Sequence, residues 1–253
     1  MIGLVDGDLF AYKASSAVQK DIDWGDGLWT CHAFLDDAIT QFLDDLEDVE
    51  NALKNNHGIT IDKMIFAFSD PKENFRKAIL PEYKANRVEK RKPTCYKGLV
   101  DWIEDEYACQ QYSKLEADDV LGILSYITED SIIISADKDF KTIPGKFYRI
   151  TEDKVYNISE DEAEYWHMYQ TLTGDTADNY KGCPGIGPKK AIEILDKNKG
   201  NLWKAVVDAY KKKGLTEEDA LVQARVSYIL RKRSEYDEPT ATVYPYNPPK
   251  ETT

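Results

Sequence analysis

Several features that would steer the reading are missing from this chain. No apolar stretch approaches the roughly 20 residues needed to span a bilayer, so no membrane partner is expected. The opening MIGLVDGDLF has no basic segment and no long apolar one, so a signal peptide is not expected and a cytoplasmic location is. Four cysteines in 253 residues form no CxxC pair, which excludes a disulfide scaffold and points to reduced thiols. Three histidines show no i,i+4 pairing, so a zinc centre built on Cys and His is not expected either. Any metal is then expected to be a hard cation held by carboxylates.

Positive charge is also in short supply. Lys and Arg number 33 against 46 Asp and Glu, a net charge of −13. Taken alone, that total argues against a nucleic-acid partner, because phosphates attract Lys and Arg. The distribution reverses the argument. Residues 72–98 hold nine bases and three acids, and residues 181–213 hold nine lysines and three acids, so each segment carries +6. Within the first, Tyr83-Lys84-Ala85-Asn86-Arg87 mixes an aromatic with bases, as in segments that grip single strands. Within the second, Gly185-Ile186-Gly187-Pro188-Lys189-Lys190 puts glycines before a helix start, where backbone N–H groups can meet a phosphate.

The first half alternates strand-like and helix-like patterns. Residues 1–6, 63–70 and 131–137 are apolar runs that each end in an acid, namely Asp6, Asp70 and Asp137. Residues 33–50 and 115–127 carry apolar residues at helical spacing. Strands separated by helices predict a parallel α/β sheet, in which ligands bind at the carboxyl ends of strands. A lone strand-end Asp is usually a solvated turn residue; three of them, with Asp8 and Asp139 close behind, suggest a site. From residue 160 the texture changes to helix (161–173), a Gly- and Pro-rich passage (174–191) and a capped helix at 216–231 led by Thr216 and Asp219. Residues 237–253 have four prolines and no period, and are expected to be an extended tail.

Further acids cluster at Glu116, Asp118 and Asp119, at Asp137 and Asp139, and at Asp175 and Asp178. So many carboxylates at one edge would repel unless cations neutralised them. Two divalent ions roughly 4 Å apart would do so, and would suit a phosphoryl displacement.

In order and spacing, five segments resemble the 5′-nuclease (flap endonuclease) superfamily, and within it the stand-alone 5′→3′ exonucleases of short-tailed bacteriophages. They are LVDGD at 4–8, FSDPKENFRKAILPEYKANR at 68–87, LEADDVLG at 115–122, ISADKDFKTIPG at 134–145 and GDTADNYKGCPGIGPKKA at 174–191. The resemblance implies a PIN-like nuclease core over 1–160 with a helical arch inserted at about 72–114. A helix–three-turn–helix region would follow over 161–235, then the tail at 236–253. It implies that Asp6, Asp70, Glu116, Asp118, Asp119, Asp137, Asp139, Asp175 and Asp178 hold two divalent ions, Mg²⁺ or Mn²⁺. Glu116, Asp118 and Asp137 would lie closest to the tighter one. It implies that Lys84 and Arg87 face the scissile phosphate, with Tyr83 beside them. Gly185, Gly187, Lys189 and Lys190 would bind duplex backbone, with K⁺ at the 182–187 turn.

The implied activity is metal-dependent 5′→3′ exonuclease and 5′-flap cleavage of DNA with 5′ ends, flaps or nicks, extending to RNA in RNA–DNA hybrids, by a monomer. Two rivals are a PIN-type ribonuclease and a non-catalytic structure-specific DNA-binding protein. Two departures stand out: an extra acid, Asp8, and Tyr180-Lys181-Gly182-Cys183 in place of Ile/Leu-Pro-Gly.

Overall fold

The computed structural model describes residues 1–87 and 91–249. Residues 88–90 of the expected arch, Lys90 among them, and residues 250–253 of the expected tail lie outside the described residues. The chain runs through β1 (Ile2–Asp6), α1 (Gly7–Val18), β2 (Lys20–Asp23), β3 (Trp29–His32), α2 (Leu35–His57), β4 (Lys63–Phe68) and α3 (Phe75–Ile79). Next come α4 (Tyr96–Glu106), β5 (Ala108–Gln111), α5 (Ala117–Ile127), β6 (Ser131–Ser135), β7 (Gly145–Arg149) and β8 (Lys154–Ile158). The remainder is α6 (Glu160–Thr173), α7 (Pro188–Asp196), α8 (Leu202–Lys211), α9 (Glu217–Ser227), β9 (Tyr236–Asp237) and β10 (Thr242–Val243).

The central sheet has the order β5-β4-β1-β6-β7-β8, parallel except where β8 pairs with β7. Val5 stands opposite both Phe66 and Ile134, so β1, β4 and β6 end together at one edge. Side chains alternate between the two faces. Leu4, Ala67 and Ile133 enter one core with α5 and α6, and the same core extends to α7, α8 and α9. Val5, Phe66, Ile132 and Ile134 enter the other, against α1, α2 and α4. Each fully buried Leu, Ile or Phe contributes about 1.5–3 kcal/mol, so the sheet edge rests on a stiff support.

Three sequence expectations need correction. Residues 96–111 of the expected arch are built into the core: Leu99 and Ile103 are fully buried and β5 pairs with β4. That leaves only the stretch before α4 for the expected arch. The helix expected over 216–231 keeps its Thr216–Asp219 capping box but ends at Ser227. Tertiary contact stops it: the Leu230 carbonyl lies where a Cβ on Gly122 would come within 2.1 Å, so the chain crosses α5 extended, and only glycine fits beneath. Finally, the described part of the expected tail, residues 236–249, is structured. β9 and β10 form an antiparallel pair, and Tyr246 packs against His167 and Tyr228 with ring centroids 4.6 and 5.2 Å away. Two-residue strands carry no readable period.

Candidate active site

The acids at the sheet edge divide into two groups. The first surrounds the ends of β1 and β6. Asp6 closes β1 and caps α1, accepting from the Leu9 N–H at 3.1 Å and from the Ser135 hydroxyl at 2.9 Å. Ser135 closes β6, and its Oγ accepts the Asp137 N–H at 3.1 Å. Asp137 in turn accepts the Asp139 N–H at 2.9 Å. Asp118 stands in the first turn of α5. Burial raises the Asp6 carboxyl to about 6, with Asp8 and Asp137 adding to it. Burial and then Asp137 raise Asp139 to about 7. Asp118 is pushed well up by burial and by Asp6, Asp137 and Glu116. Asp139 Oδ1 is buried with no hydrogen-bond partner.

Lys84 and Lys138 lower Asp118 and Asp139 only in part, so like charges that raise one another in this way remain incompletely countered. Among the described residues, no group of three or more His, Cys, Asp or Glu side chains is arranged to hold an ion by itself. The donor set still fits Mg²⁺ or Mn²⁺: it is all oxygen, one oxygen is unsatisfied, and Mg²⁺ binds through one or two carboxylates while keeping several waters.

The second group faces residues 76–87 and is charge-paired. Glu116 accepts from Arg76 at 3.0 Å and from the Tyr83 hydroxyl at 3.0 Å, and forms an ion pair with Lys84. Burial would raise its carboxyl, but Arg76 and Lys84 hold it at about 2. The Tyr83 hydroxyl also reaches Asp178 at 3.0 Å, and Arg87 closes on the same carboxylate. Lys84 adopts φ 56°, a left-handed conformation that costs a non-glycine residue about 1–3 kcal/mol. It is held there by its N–H bond to the Asp178 carbonyl, 2.8 Å. Asp175 accepts the Ala177 N–H at 2.7 Å and lies 3.4 Å from Lys138.

Two of the expected site acids are committed elsewhere. Asp119 is fully buried, and each of its oxygens accepts twice: from Arg76 and the Leu230 N–H, and from Arg76 and the Glu116 N–H. Its Oδ atoms have no capacity left for an ion. Asp70 lies two residues beyond β4, and its oxygens cap the N–H groups of Lys72 and Lys114 at 2.8 and 2.7 Å. It lines a hollow with Gln111, Tyr112 and Ser113, apart from the cavity lined by Asp139 and Asp175. The acid that does reach the end of β4 is Asp8, which accepts the Ser69 N–H at 3.0 Å and the Tyr96 hydroxyl at 2.8 Å.

The cavity at Asp139 and Asp175 measures about 680 Å³ and is also lined by Lys138, Lys141, Arg149, Lys181 and Trp166. Sequence reading missed it because distant segments contribute its walls. It missed the pairing of Arg76 too, since a base followed directly by Lys77 reads as part of the solvated basic segment.

Pro188, which also lines this cavity, opens α7. Before it, Cys183 and Ile186 are buried and pin the turn, leaving Gly185, Gly187, Lys189 and Lys190 exposed. Gly187 offers α7 no side-chain cap, so the first N–H groups of the helix remain free for an anion.

Residues 1–170 match the family described as 5′-3′ exonuclease, N-terminal resolvase-like domain. An exonuclease of Escherichia phage T7 is 32% identical, covering 97% of this chain and 93% of its own length. An exodeoxyribonuclease of Enterobacteria phage T3 is 30% identical, covering 97% and 92%. Among solved structures, the bacteriophage T5 flap endonuclease in a pseudo-enzyme-product complex with DNA and metal ions superposes with a TM-score of 0.62 at 16% identity, over 89% of this chain and 88% of that one. That likeness extends the shared fold beyond residue 170. The chain belongs to the 5′-3′ exonuclease family with an N-terminal resolvase-like domain.

Proposed function

We propose that the protein is a metal-dependent 5′→3′ exonuclease and 5′-flap endonuclease that hydrolyses phosphodiester bonds in DNA. The observation that carries this is the group of carboxylates at the ends of β1 and β6, which raise one another and have no protein cation paired to them among the described residues. Lys84 and Arg87 stand beside it. The exonuclease and flap endonuclease names of the relatives agree with it.

Asp6, Glu116, Asp118, Asp137, Asp139, Asp175 and Asp178 would hold two divalent ions. When bound, such ions supply charge neutralisation and activate water for attack at phosphorus. Lys84 and Arg87 turn from Glu116 and Asp178 to the phosphoryl oxygens and stabilise the charge that develops there. Tyr83 keeps the two carboxylates aligned. Gly185, Gly187, Lys189 and Lys190 hold duplex backbone, with K⁺ at the carbonyls of the 182–187 turn. Residues 1–160 act as the nuclease core and 161–235 as the duplex-binding region of a monomer. RNA strands of RNA–DNA hybrids are accepted as well.

The test is digestion of end-labelled 5′-flap, nicked and hybrid duplexes with Mg²⁺, reading product lengths and end groups. Products bearing 5′-phosphates and shortened from the 5′ end are expected. Full cleavage in excess EDTA would overturn the assignment, and cleavage of single-stranded RNA alone would favour a PIN-type ribonuclease.

A further inference from the structure

We propose that Asn86 and Asn179 form a clasp that positions Lys84 for the cleavage step. This rests on reading Lys84 as a base that meets the scissile phosphate, and the test separates the two.

Two tight turns meet beside the site, and each contains a residue with left-handed backbone. The first runs from Glu82 to Ala85 and is closed by the Ala85 N–H on the Glu82 carbonyl at 3.0 Å. Its third residue is Lys84, at φ 56°. Glycine or asparagine is the usual occupant of such a position, because a Cβ crowds the backbone there. A lysine in it is held by its surroundings and not by its own preference. The second turn lies between Asp175 and Tyr180, whose backbones exchange N–H···O bonds at 2.9 and 3.1 Å. Asn179 stands in it at φ 58°, a conformation that asparagine tolerates.

An asparagine from each side joins the two segments. Asn179 Nδ2 donates to the Glu82 carbonyl at 2.7 Å, and Asn86 Nδ2 donates to the Thr176 carbonyl at 2.7 Å. Between them, the Lys84 N–H donates to the Asp178 carbonyl at 2.8 Å. Three bonds spread across both turns fix the position and the rotation of the Lys84 backbone. Its ammonium then pairs with Glu116 and lies 3.6 Å from Asp178. The ion pairs of Lys84 and Arg87 are given up when those side chains turn to a phosphate. The asparagine bonds involve no charged group and stay in place. Both run to backbone carbonyls, so Asn86 and Asn179 are positioning residues that act through Lys84.

The test is single-turnover cleavage of a 5′-flap duplex by the full chain at saturating DNA and Mg²⁺, with duplex affinity measured separately in EDTA. Asn179→Gly is the informative variant, because glycine keeps the left-handed backbone and removes only the amide. It is expected to slow cleavage about tenfold with affinity unchanged, within the loss that a small misplacement of a reacting group produces. Asn86→Ala is expected to slow it several-fold. In a Lys84→Ala background, Asn179→Gly is expected to change the rate by less than about twofold, because the group it positions is gone. The melting temperature of each variant is expected to match the wild type, since both amide bonds lie at the surface.

A wild-type rate in Asn179→Gly or in Asn86→Ala would overturn the clasp while leaving Lys84 in its role. So would a loss of the same size in the Lys84→Ala background. Asn179 would then act through the acids of its own turn, Asp175 and Asp178, or through the fold. Lys84→Ala cleaving as fast as the wild type would remove Lys84 from the reaction, and the clasp with it. A wild type that leaves the flap uncut would sink the nuclease reading itself.

Discussion

Two parts of one sheet edge carry the same residue type in opposite electrostatic states. On the side facing residues 76–87, Glu116, Asp119 and Asp178 are matched by Arg76, Lys84 and Arg87. At the ends of β1 and β6, Asp6, Asp8, Asp118, Asp137 and Asp139 have no ion pair among the described residues. One side holds Glu116 down at about 2, the other pushes Asp139 up to about 7. The division runs between adjacent residues of α5, since Asp118 belongs to one side and Asp119 to the other. A carboxylate paired to a protein base is held until that base turns away. Carboxylates buried together with no base bound to them repel one another until a cation is supplied.

The sharpest way to break this comparison is to neutralise the two neighbours in turn. Asp118→Asn is expected to cut single-turnover cleavage of a 5′-flap duplex by at least about 10³-fold, roughly 4 kcal/mol in the barrier. Its metal-free melting temperature should stay level or rise, because a repelling charge is gone. Asp119→Ala is expected to do the reverse. It leaves Arg76 buried beside an empty place and should lower unfolding stability by about 3–5 kcal/mol in urea titrations. If Asp118→Asn unfolded and Asp119→Ala merely lost activity, the division would be wrong.

A smaller effect is expected from Lys84→Ala. Glu116 keeps Arg76 as a partner, so the fold should hold. The cleavage step should slow by about 10²-fold, close to the loss of one charge-stabilising donor. Measuring rate at saturating DNA separates this from weaker binding, and an unchanged rate would assign Lys84 to structure alone.

Much of this was readable beforehand. Apolar runs ending in acids at 1–6 and 131–137 are strands whose ends meet, because alternation and helical spacing report burial directly. The acidic motifs were visible for the same reason: their residues are local. What could not be read is which oxygens are already taken. The fate of Asp70 depends on a backbone N–H from Lys114, 44 positions along the chain, and that of Asp119 on Arg76 and on Leu230, 111 positions away. Where Asp8 lies depends on how closely α1 lies on β4, a property of Gly7 rather than of any acidic spacing. Likewise, α9 ends at Ser227, three residues before the Leu230 carbonyl meets Gly122, a contact no helix propensity encodes.

The smallest expected effect concerns the second basic patch, where the comparison extends from acids to bases. Lys84 and Arg87 are tied to carboxylates; Lys189 and Lys190 are exposed at the open start of α7. Bases already paired inside the protein release few counterions on binding DNA, whereas free ones release their full share. Lys189→Ala with Lys190→Ala should therefore weaken duplex binding evenly across sequences. It should also flatten the dependence of log affinity on log salt by about 1.8, since each phosphate contact contributes about 0.9. Fluorescence anisotropy of a labelled duplex across a salt series measures that slope. An unchanged slope would mean that these lysines, for all their exposure, do not meet phosphate, and the net charge of −13 would regain its force against this part of the surface as a contact for DNA.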